Sequence, residues 1–396
     1  MFPHDMTQKM QNYPFRTIGK TSALLLCLLC LSSMEDVQSQ LVKKIFHQYF
    51  SNEKDTTRKP SFLPLPSLAY AQETGLKVGI TGLYSFYTDR KNPKIRNSTL
   101  ETGISYTEKK QTSAKVISEI WTKNNGYRLY GDIRYQNFPY NFYGIGANTL
   151  EANKNLVNEK RFRFLVAADK RMFGCYYLGF LAEFEHYNYT DKAPGGIFQN
   201  TSLYGKTGGK YVSFGLEQFV DTRNTNTYTT KGQFAKLTLN YVPDLFGGEN
   251  YNGGIIQCNY RYFQPLDKKL VVGFDAVYNS LTSHDAPFYM LQRMGSDQIM
   301  RGYYQGRYND RNYAAVQSEL RYRFVPRFGV VFFGGVGSVY GVSAFNGNLK
   351  PNYGGGVRYF FDLERCLSVR IDYGWGEKVA GEKRQGGLYF SLGEAF

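Results

Sequence analysis

Tryptophan and histidine are almost missing from this chain, with two and four among 396 residues. So few imidazoles leave little material for a histidine-based metal centre or for general-base chemistry. The five cysteines do not form a set. Cys27 and Cys30 share one apolar run, whereas Cys175, Cys258 and Cys366 are scattered, so neither a zinc site nor a disulfide framework is indicated. Long apolar runs are lacking as well. Beyond the N-terminus none reaches the roughly 20 residues a membrane helix needs, and mean hydropathy is −0.43. Acidic residues are outnumbered, 33 against 48 basic ones, for a formal charge of +15.

What the chain has in quantity is tyrosine, phenylalanine and glycine, at 34, 30 and 41 residues. They fall in short segments that alternate apolar and polar side chains. This composition and period predict an all-β fold, a transmembrane antiparallel β-barrel of about sixteen strands with aromatic girdles. Such a barrel escapes hydropathy scans because every second residue faces a polar interior. Residues 99–107 put Leu100, Thr102, Ile104 and Tyr106 on one face; 161–169 put Phe162, Phe164, Val166 and Ala168 outward; 174–186 put Glu183 and Glu185 inward. The pattern recurs through Val212, Leu237, Ile256, Val272, Val316, 328–340, Val357, Leu367 and Leu388, with weaker segments at 76–87, 113–122, 127–136 and 139–148. Short links (109–112, 170–174, 221–224, 264–268, 325–327, 362–365) then alternate with long ones (88–97, 149–158, 189–208, 242–251, 283–312, 341–350, 376–385). Short links are expected on the periplasmic side and long ones outside. Lys and Arg are spread along the whole length, which suits a solvated lumen and basic loops near anionic lipid headgroups rather than nucleic acid.

The N-terminus has the build of an export signal over residues 1–40. Arg16 and Lys20 are its basic part, residues 23–31 (ALLLCLLCL) an apolar part too short to span, and Val37 and Ser39 a small-residue cleavage site. Leu26 and Leu29 stand where lipidation of Cys27 or Cys30 would want a small residue. Residues 41–61 form a short polar lead-in, and the barrel is expected over 62–396.

Between two alternating runs lies QIMRGYYQGRYNDRN, residues 298–312, with Met300-Arg301-Gly302-Tyr303 at its centre. The arginine-glycine-aromatic triplet Arg301, Gly302, Tyr303 resembles the motif of the BamA/TamA family, the bacterial surface antigen barrels of the outer membrane. Asp221-Thr222-Arg223-Asn224, followed by Gly232, is similar to the family's Asp-x-Arg turn, although a proline usual between them is absent. A polar turn in which Asp221 and Asn224 satisfy their own backbone accounts for those residues equally well. The resemblance implies that the 283–312 loop folds into the lumen and that Arg301 meets carboxylates of inward-facing strand residues, a geometry that guanidinium suits. Glu319 stands at the place of one such carboxylate. The second is replaced by glycine near Gly334-Gly335, with Asp372 as a substitute. Leu388, Phe390, Leu392 and Phe396 resemble the C-terminal sorting signal of outer-membrane barrels, whose end residue seats at the lipid interface, with Glu394 breaking the apolar series.

The resemblance implies location in the bacterial outer membrane and a role in assembly, insertion or translocation of outer-membrane polypeptides. That work would run through main-chain pairing at an openable seam between first and last strands, which Gly386-Gly387 would loosen. The partners implied are the lipid bilayer, unfolded outer-membrane protein clients and a separate periplasmic protein, since 41–61 leaves no room for the family's periplasmic modules. A passive channel or structural barrel is the alternative. No catalytic triad, cofactor or metal constellation stands out. Gly205-Lys206-Thr207 lacks the upstream glycine of a phosphate loop (Asn200 is there). Asn97, Asn188 and Asn200 match glycosylation acceptors, and His284-Asp285 has no second histidine or serine beside it in a strand.

Overall fold

Along residues 161–169 the side chains divide by parity: Phe162, Phe164, Val166 and Ala168 point outward, while Leu165, Ala167 and Asp169 are buried inside. That period of two, repeated in strand after strand, curls the sheet around a polar interior. In the computed structural model, which describes residues 58–396 except 93, 342–346 and 364–365, the sheet closes as a barrel of sixteen strands, each antiparallel to its neighbours. The strands are β1 (Ser61–Ala71), β2 (Gly75–Phe86), β3 (Ser98–Thr107), β4 (Thr112–Trp121), β5 (Tyr127–Phe142), β6 (Asn155–Phe173), β7 (Tyr176–Asp191) and β8 (Gly208–Asp221). Then follow β9 (Gly232–Val242), β10 (Gly253–Pro265), β11 (Leu270–Leu281), β12 (Asn312–Val325), β13 (Phe328–Tyr340), β14 (Lys350–Asp362), β15 (Leu367–Trp375) and β16 (Gly386–Leu392). Closure satisfies the backbone donors and acceptors that hydrocarbon cannot. No described helix is long and apolar enough to cross a membrane.

The outer face is apolar, with Ile80 and Ile104 each 70% exposed and Phe180 73% exposed. Aromatic contacts on this face include Tyr353 stacked on Trp375 at 5.7 Å and Phe328 against Tyr359 at 5.2 Å. The inner face carries ion pairs. Arg128 Nη1 reaches Asp169 at 2.9 Å and Glu217 at 2.8 Å, and Arg163 Nε reaches Glu183 at 2.6 Å.

One end of the barrel, here the loop end, is roofed by residues 192–207 and 282–311. Phe288 lies edge-on to Phe142 at 5.1 Å and to Phe198 at 5.4 Å, and Tyr189 meets it at 4.9 Å. Within the long loop Gln292–Arg293 pairs with Asn309–Asp310 as a two-stranded ribbon. The other end, here the turn end, carries mostly short links and both barrel termini.

The wall differs from the sequence expectation in two places that cancel in the count. Residues 139–148 are not a strand of their own, because β5 runs unbroken through them to Phe142. The missing strand is β1, which pairs with β2 in register from Ser61↔Ser85 to Ala71↔Gly75 despite Pro64 and Pro66. Proline lacks an N–H, so a continuous ladder places those two nitrogens on the edge facing away from β2. Adding β1 in front exchanges the sides of the links that precede β4. Residues 87–97 lie at the turn end, where Arg96 Nη1 reaches Asp221 at 3.4 Å. Residues 108–111 lie at the loop end, where Gln111 Nε2 donates to Glu73 O at 2.9 Å. The expected assignment of 88–97 to the outside and 109–112 to the periplasmic side is therefore reversed, while the links after β5 keep theirs.

This exchange can be read by labelling. In a chain whose native cysteines are replaced by serine, Lys91→Cys and Lys268→Cys should react with a membrane-impermeant maleimide from one side. Lys110→Cys and Lys192→Cys should react from the other. Lys110→Cys reacting with Lys268→Cys would remove β1 from the wall.

Candidate functional site: the buried arginine loop and the seam

A guanidinium stays protonated at any ordinary pH, so burying one requires carboxylates placed to receive it. Arg301 is fully buried in the lumen. Its Nη2 donates to Glu319 Oε1 of β12, and its Nη1 donates to Asp372 Oδ2 of β15 at 2.8 Å. The guanidinium carbon lies 3.5 Å above the centre of the Phe333 ring of β13. Strand parity sets this up, because Glu319, Phe333 and Asp372 all alternate inward between lipid-facing neighbours.

The pair is part of a larger cluster. Glu319 Oε2 accepts from Arg321 Nε at 2.8 Å. Asp372 also accepts from Arg358 Nη1 at 2.5 Å and Arg370 Nη1 at 3.0 Å. Arg358 Nε reaches Glu394 at 2.7 Å, and Arg370 Nη2 reaches Asp297 at 2.6 Å. Four guanidiniums thus face four carboxylates: Arg301, Arg321, Arg358 and Arg370 against Glu319, Asp372, Glu394 and Asp297. Each charge is compensated at contact distance, which is the condition for keeping such a set inside a barrel.

The main chain of the motif lies directly on the wall. Gly302 has φ +105°, and a Cβ there would stand 2.8 Å from the carbonyl carbon of Gly374; one on Gly374 would stand 2.6 Å from that of Arg301. Two facing glycines allow this backbone-on-backbone contact. Gly302 N donates to Tyr389 Oη of β16 at 2.9 Å, Tyr303 Oη donates to Pro351 O at 2.6 Å, and Asn352 Nδ2 donates to Arg301 O at 3.2 Å.

The loop also touches both edges of the seam between β1 and β16. Tyr389 takes the Gly302 bond from the β16 side and a second from Gln72 Nε2 at 3.3 Å. On the other side Gln305 N donates to Glu73 Oε1 at 2.7 Å, in the link that joins β1 to β2. Burial pushes the Glu73 carboxyl above its ordinary value, against the lowering effect of that bond.

The seam has one registered pair, Tyr70↔Phe390, where β1 pairs with β2 along its whole length. In that register Leu392 ends β16 opposite Leu68, and the first half of β1 extends past it toward the turn end. The first strand is therefore 61–71, ahead of the expected segment 76–87, and the residues that face β16 lie near Tyr70.

The other expected residues fall elsewhere. Asp221 and Arg223 form a two-pronged pair at 3.0 Å for both contacts, at the turn end and apart from Arg301. Gly232 has φ +106°, and a Cβ there would stand 2.3 Å from Thr222 O, so the turn requires glycine. Leu388, Phe390 and Leu392 face outward, but Phe396 does not seat at the lipid interface. The strand stops at Leu392, Gly393 turns the chain at φ +79°, and Phe396 tucks inside against Phe263 at 5.9 Å. Its carbonyl accepts from Arg321 Nη2 at 2.8 Å. Glu394 goes inward with it to Arg358. The place of the second carboxylate, vacant at Gly334-Gly335, is filled from β15 by Asp372.

Arg358, Arg370 and Tyr389 were not singled out from the sequence. The signal was present for the first two, since each sits at an inward position between lipid-facing residues, as Glu319 does. Lys206 Nζ donates to Gln199 O at 2.8 Å, so Gly205-Lys206-Thr207 shapes a loop. His284 Nδ1 lies 3.1 Å from Arg311, and no metal-binding group of side chains occurs among the described residues.

An Omp85 superfamily domain matches residues 74–396. Among solved structures the chain is similar to BamA from Haemophilus ducreyi lacking POTRA domains 1–3, with 11% identity and a TM-score of 0.58 over 90% of this chain and 78% of that one. It is also similar to CdiB from Acinetobacter baumannii (12% identity, TM-score 0.55, 85% of this chain) and CdiB from Escherichia coli (8%, 0.54, 83%). The chain spans 59% and 62% of those two CdiB chains. At such identities the likeness is one of fold. No curated protein matches the sequence.

The cluster predicts an order of damage. Arg301→Ala leaves Glu319 with Arg321, and Asp372 with Arg358 and Arg370. Asp372→Ala removes the shared acceptor of three arginines and should cost about 3–5 kcal/mol, the larger loss. The temperature at which the folded band disappears on gels gives the ranking, and a greater loss for Arg301→Ala would contradict it. Arg301→Ala combined with Glu319→Ala should cost less than the two separately. Strict additivity would mean the two do not interact.

Glu73 predicts a pH effect. Its raised folded value means that the native state holds the proton more tightly than the unfolded chain. Its contribution to stability is thus greatest at low pH and declines as pH rises from the ordinary 4.5 through the folded value. Glu73→Gln should remove that decline from a stability profile taken above pH 4.5, and an unchanged slope would assign it to other groups.

Proposed function

Because the chain belongs to the Omp85 superfamily, we propose that it is an exported outer-membrane barrel that assists assembly, insertion or translocation of other outer-membrane polypeptides. It does so without enzymatic chemistry or a cofactor. The observation that carries this reading is the seam: a single registered pair closes the barrel, and the arginine loop is bonded to both of its edges. A client strand adds by main-chain hydrogen bonds, and a poorly paired edge supplies them.

The wall is also low at this place. The seven residues of β16 rise about 23 Å along the strand. A tilt of about 40° brings that to roughly 18 Å across the membrane, short of the ~25 Å apolar band of outer-membrane barrels. By comparison, β6 has nineteen residues. Lipid thins beside a short wall, which lowers the barrier to an entering hairpin. The roofed and ion-paired lumen supports this reading over a passive channel. Clients would arrive from a separate periplasmic protein.

The test is a folding assay in liposomes. The reconstituted barrel should speed folding of a second, unfolded outer-membrane protein. Tyr70→Cys with Phe390→Cys, in a background without other cysteines, should abolish the gain when oxidised and restore it on reduction. A barrel that conducts ions but leaves client folding unchanged, with periplasmic extract added as well, would be a channel.

A further inference from the structure

Above the seam, at the loop end, lies a cavity of about 800 Å³ that the arginine loop does not fill. It is bounded by the links around residues 72, 109, 143–154 and 380–386 and floored by Tyr304 and Arg307. Five cations line it, Lys109, Lys154, Arg307, Lys383 and Arg384, against two carboxylates, Glu151 and Glu382.

The two carboxylates are already engaged. Arg307 Nη1 contacts Glu151 at 3.1 Å, and its Nη2 pairs with Glu382, so one buried guanidinium takes both. The remaining four cations sit at the rim. Lys154 keeps one long contact to Glu151 at 3.8 Å, with both side chains about half exposed, which is worth little. Lys109 Nζ donates to the backbone carbonyl of Gln72 and is 5.9 Å from the Tyr304 ring, which leaves ammonium donors unused. Arg384 Nη1 has the hydroxyl of Tyr353 at 3.2 Å and Gly376 O at 3.3 Å, both neutral acceptors. Lys383 has no carboxylate within ion-pair distance among the described residues.

In the Arg301 cluster, cations and carboxylates are matched at contact distance. This cavity instead has five lining cations against two lining carboxylates, around a space larger than one water. Ammonium and guanidinium donors in excess of the lining carboxylates are the complement of a multiply charged oxyanion, and phosphate is the group that arginine and lysine bind together.

We propose that this cavity binds a phosphate group at the loop-end mouth of the seam, through Lys383 and Arg384 with Lys109 and Lys154 beside them. The group is carried either by a lipid headgroup of the adjoining leaflet or by a soluble phosphate. Binding there would bridge the 376–385 link, which flanks the seam, to the β3–β4 and β5–β6 links that carry Lys109 and Lys154, with Lys109 bonded in turn to Gln72 of the β1–β2 link. The inference is independent of the insertion role, since it rests on charge and volume alone.

Calorimetric titration of the detergent-solubilised full chain tests it with two probes, inorganic pyrophosphate and monomeric dihexanoyl phosphatidylglycerol. Either should bind, and Lys383→Ala with Arg384→Ala should weaken it about tenfold or more. Both side chains are exposed, and folding of the variant is checked by its gel shift before and after boiling. Lys268→Ala, at the opposite end, should leave binding unchanged. Binding of the lipid but not pyrophosphate identifies a headgroup site, and the reverse identifies a soluble ligand. Absence of binding by both probes overturns the proposal. So does equal weakening by Lys268→Ala, which would reduce the effect to the general +15 charge of the chain.

Discussion

A charge that cannot be neutralised has been placed where water is scarce, and much of the barrel interior answers to it. Arg301 reaches the wall only because the 282–311 loop folds inward. It remains there because Glu319 and Asp372 come to it from strands β12 and β15. Those carboxylates hold three further arginines in the same lattice, so the loop is locked to β12, β14 and β15 together. Desolvation of any one of these ions alone would be prohibitive. Mutual contact makes the set tolerable, and it ties the loop position to the closed form of the wall.

The same loop reaches the weakest joint. Its glycine rests on β15 and bonds Tyr389 of β16, and four residues after the arginine Gln305 bonds Glu73 beside β1. Stable lodging of the arginine and closure of the seam are therefore mechanically connected. The seam itself contributes little main-chain pairing, and side chains supply much of what holds it at the loop end. Toward the turn end, Pro64 and Pro66 withhold donors from the edge of β1, a device that discourages unwanted strand addition along that half. An edge that is open in one half and guarded in the other suits controlled exchange better than permanent closure.

Much of the architecture was legible because alternation in a membrane barrel is a strong constraint: a polar residue facing lipid is costly, so parity persists over whole strands. Glu319, Asp372, Arg358 and Arg370 could all be placed inside by that parity. The first strand went uncounted because 61–71 carries Pro64 and Pro66 and alternates weakly, although proline is harmless on an edge that the ladder does not use. The segment 139–148 read as separate because β5 is unusually long. The two misassignments offset each other in number and left an error only in which side 88–97 and 109–112 occupy.

By itself, then, the sequence determined the barrel class, the approximate strand number, the inward set of charges and the loop that carries Arg301. Each of these follows from local period and residue type. Only the tertiary structure decided that Asp372 fills the place of the second carboxylate, since it lies 71 residues away in sequence and is brought beside the arginine by closure of the wall. It also decided that Phe396 turns inward and that one pair, Tyr70 with Phe390, joins the ends. The physical reason is common to all three. Parity says which face a side chain takes, but not its height or its neighbour around the circumference. Those are fixed by the stagger of sixteen strands when the sheet closes on itself.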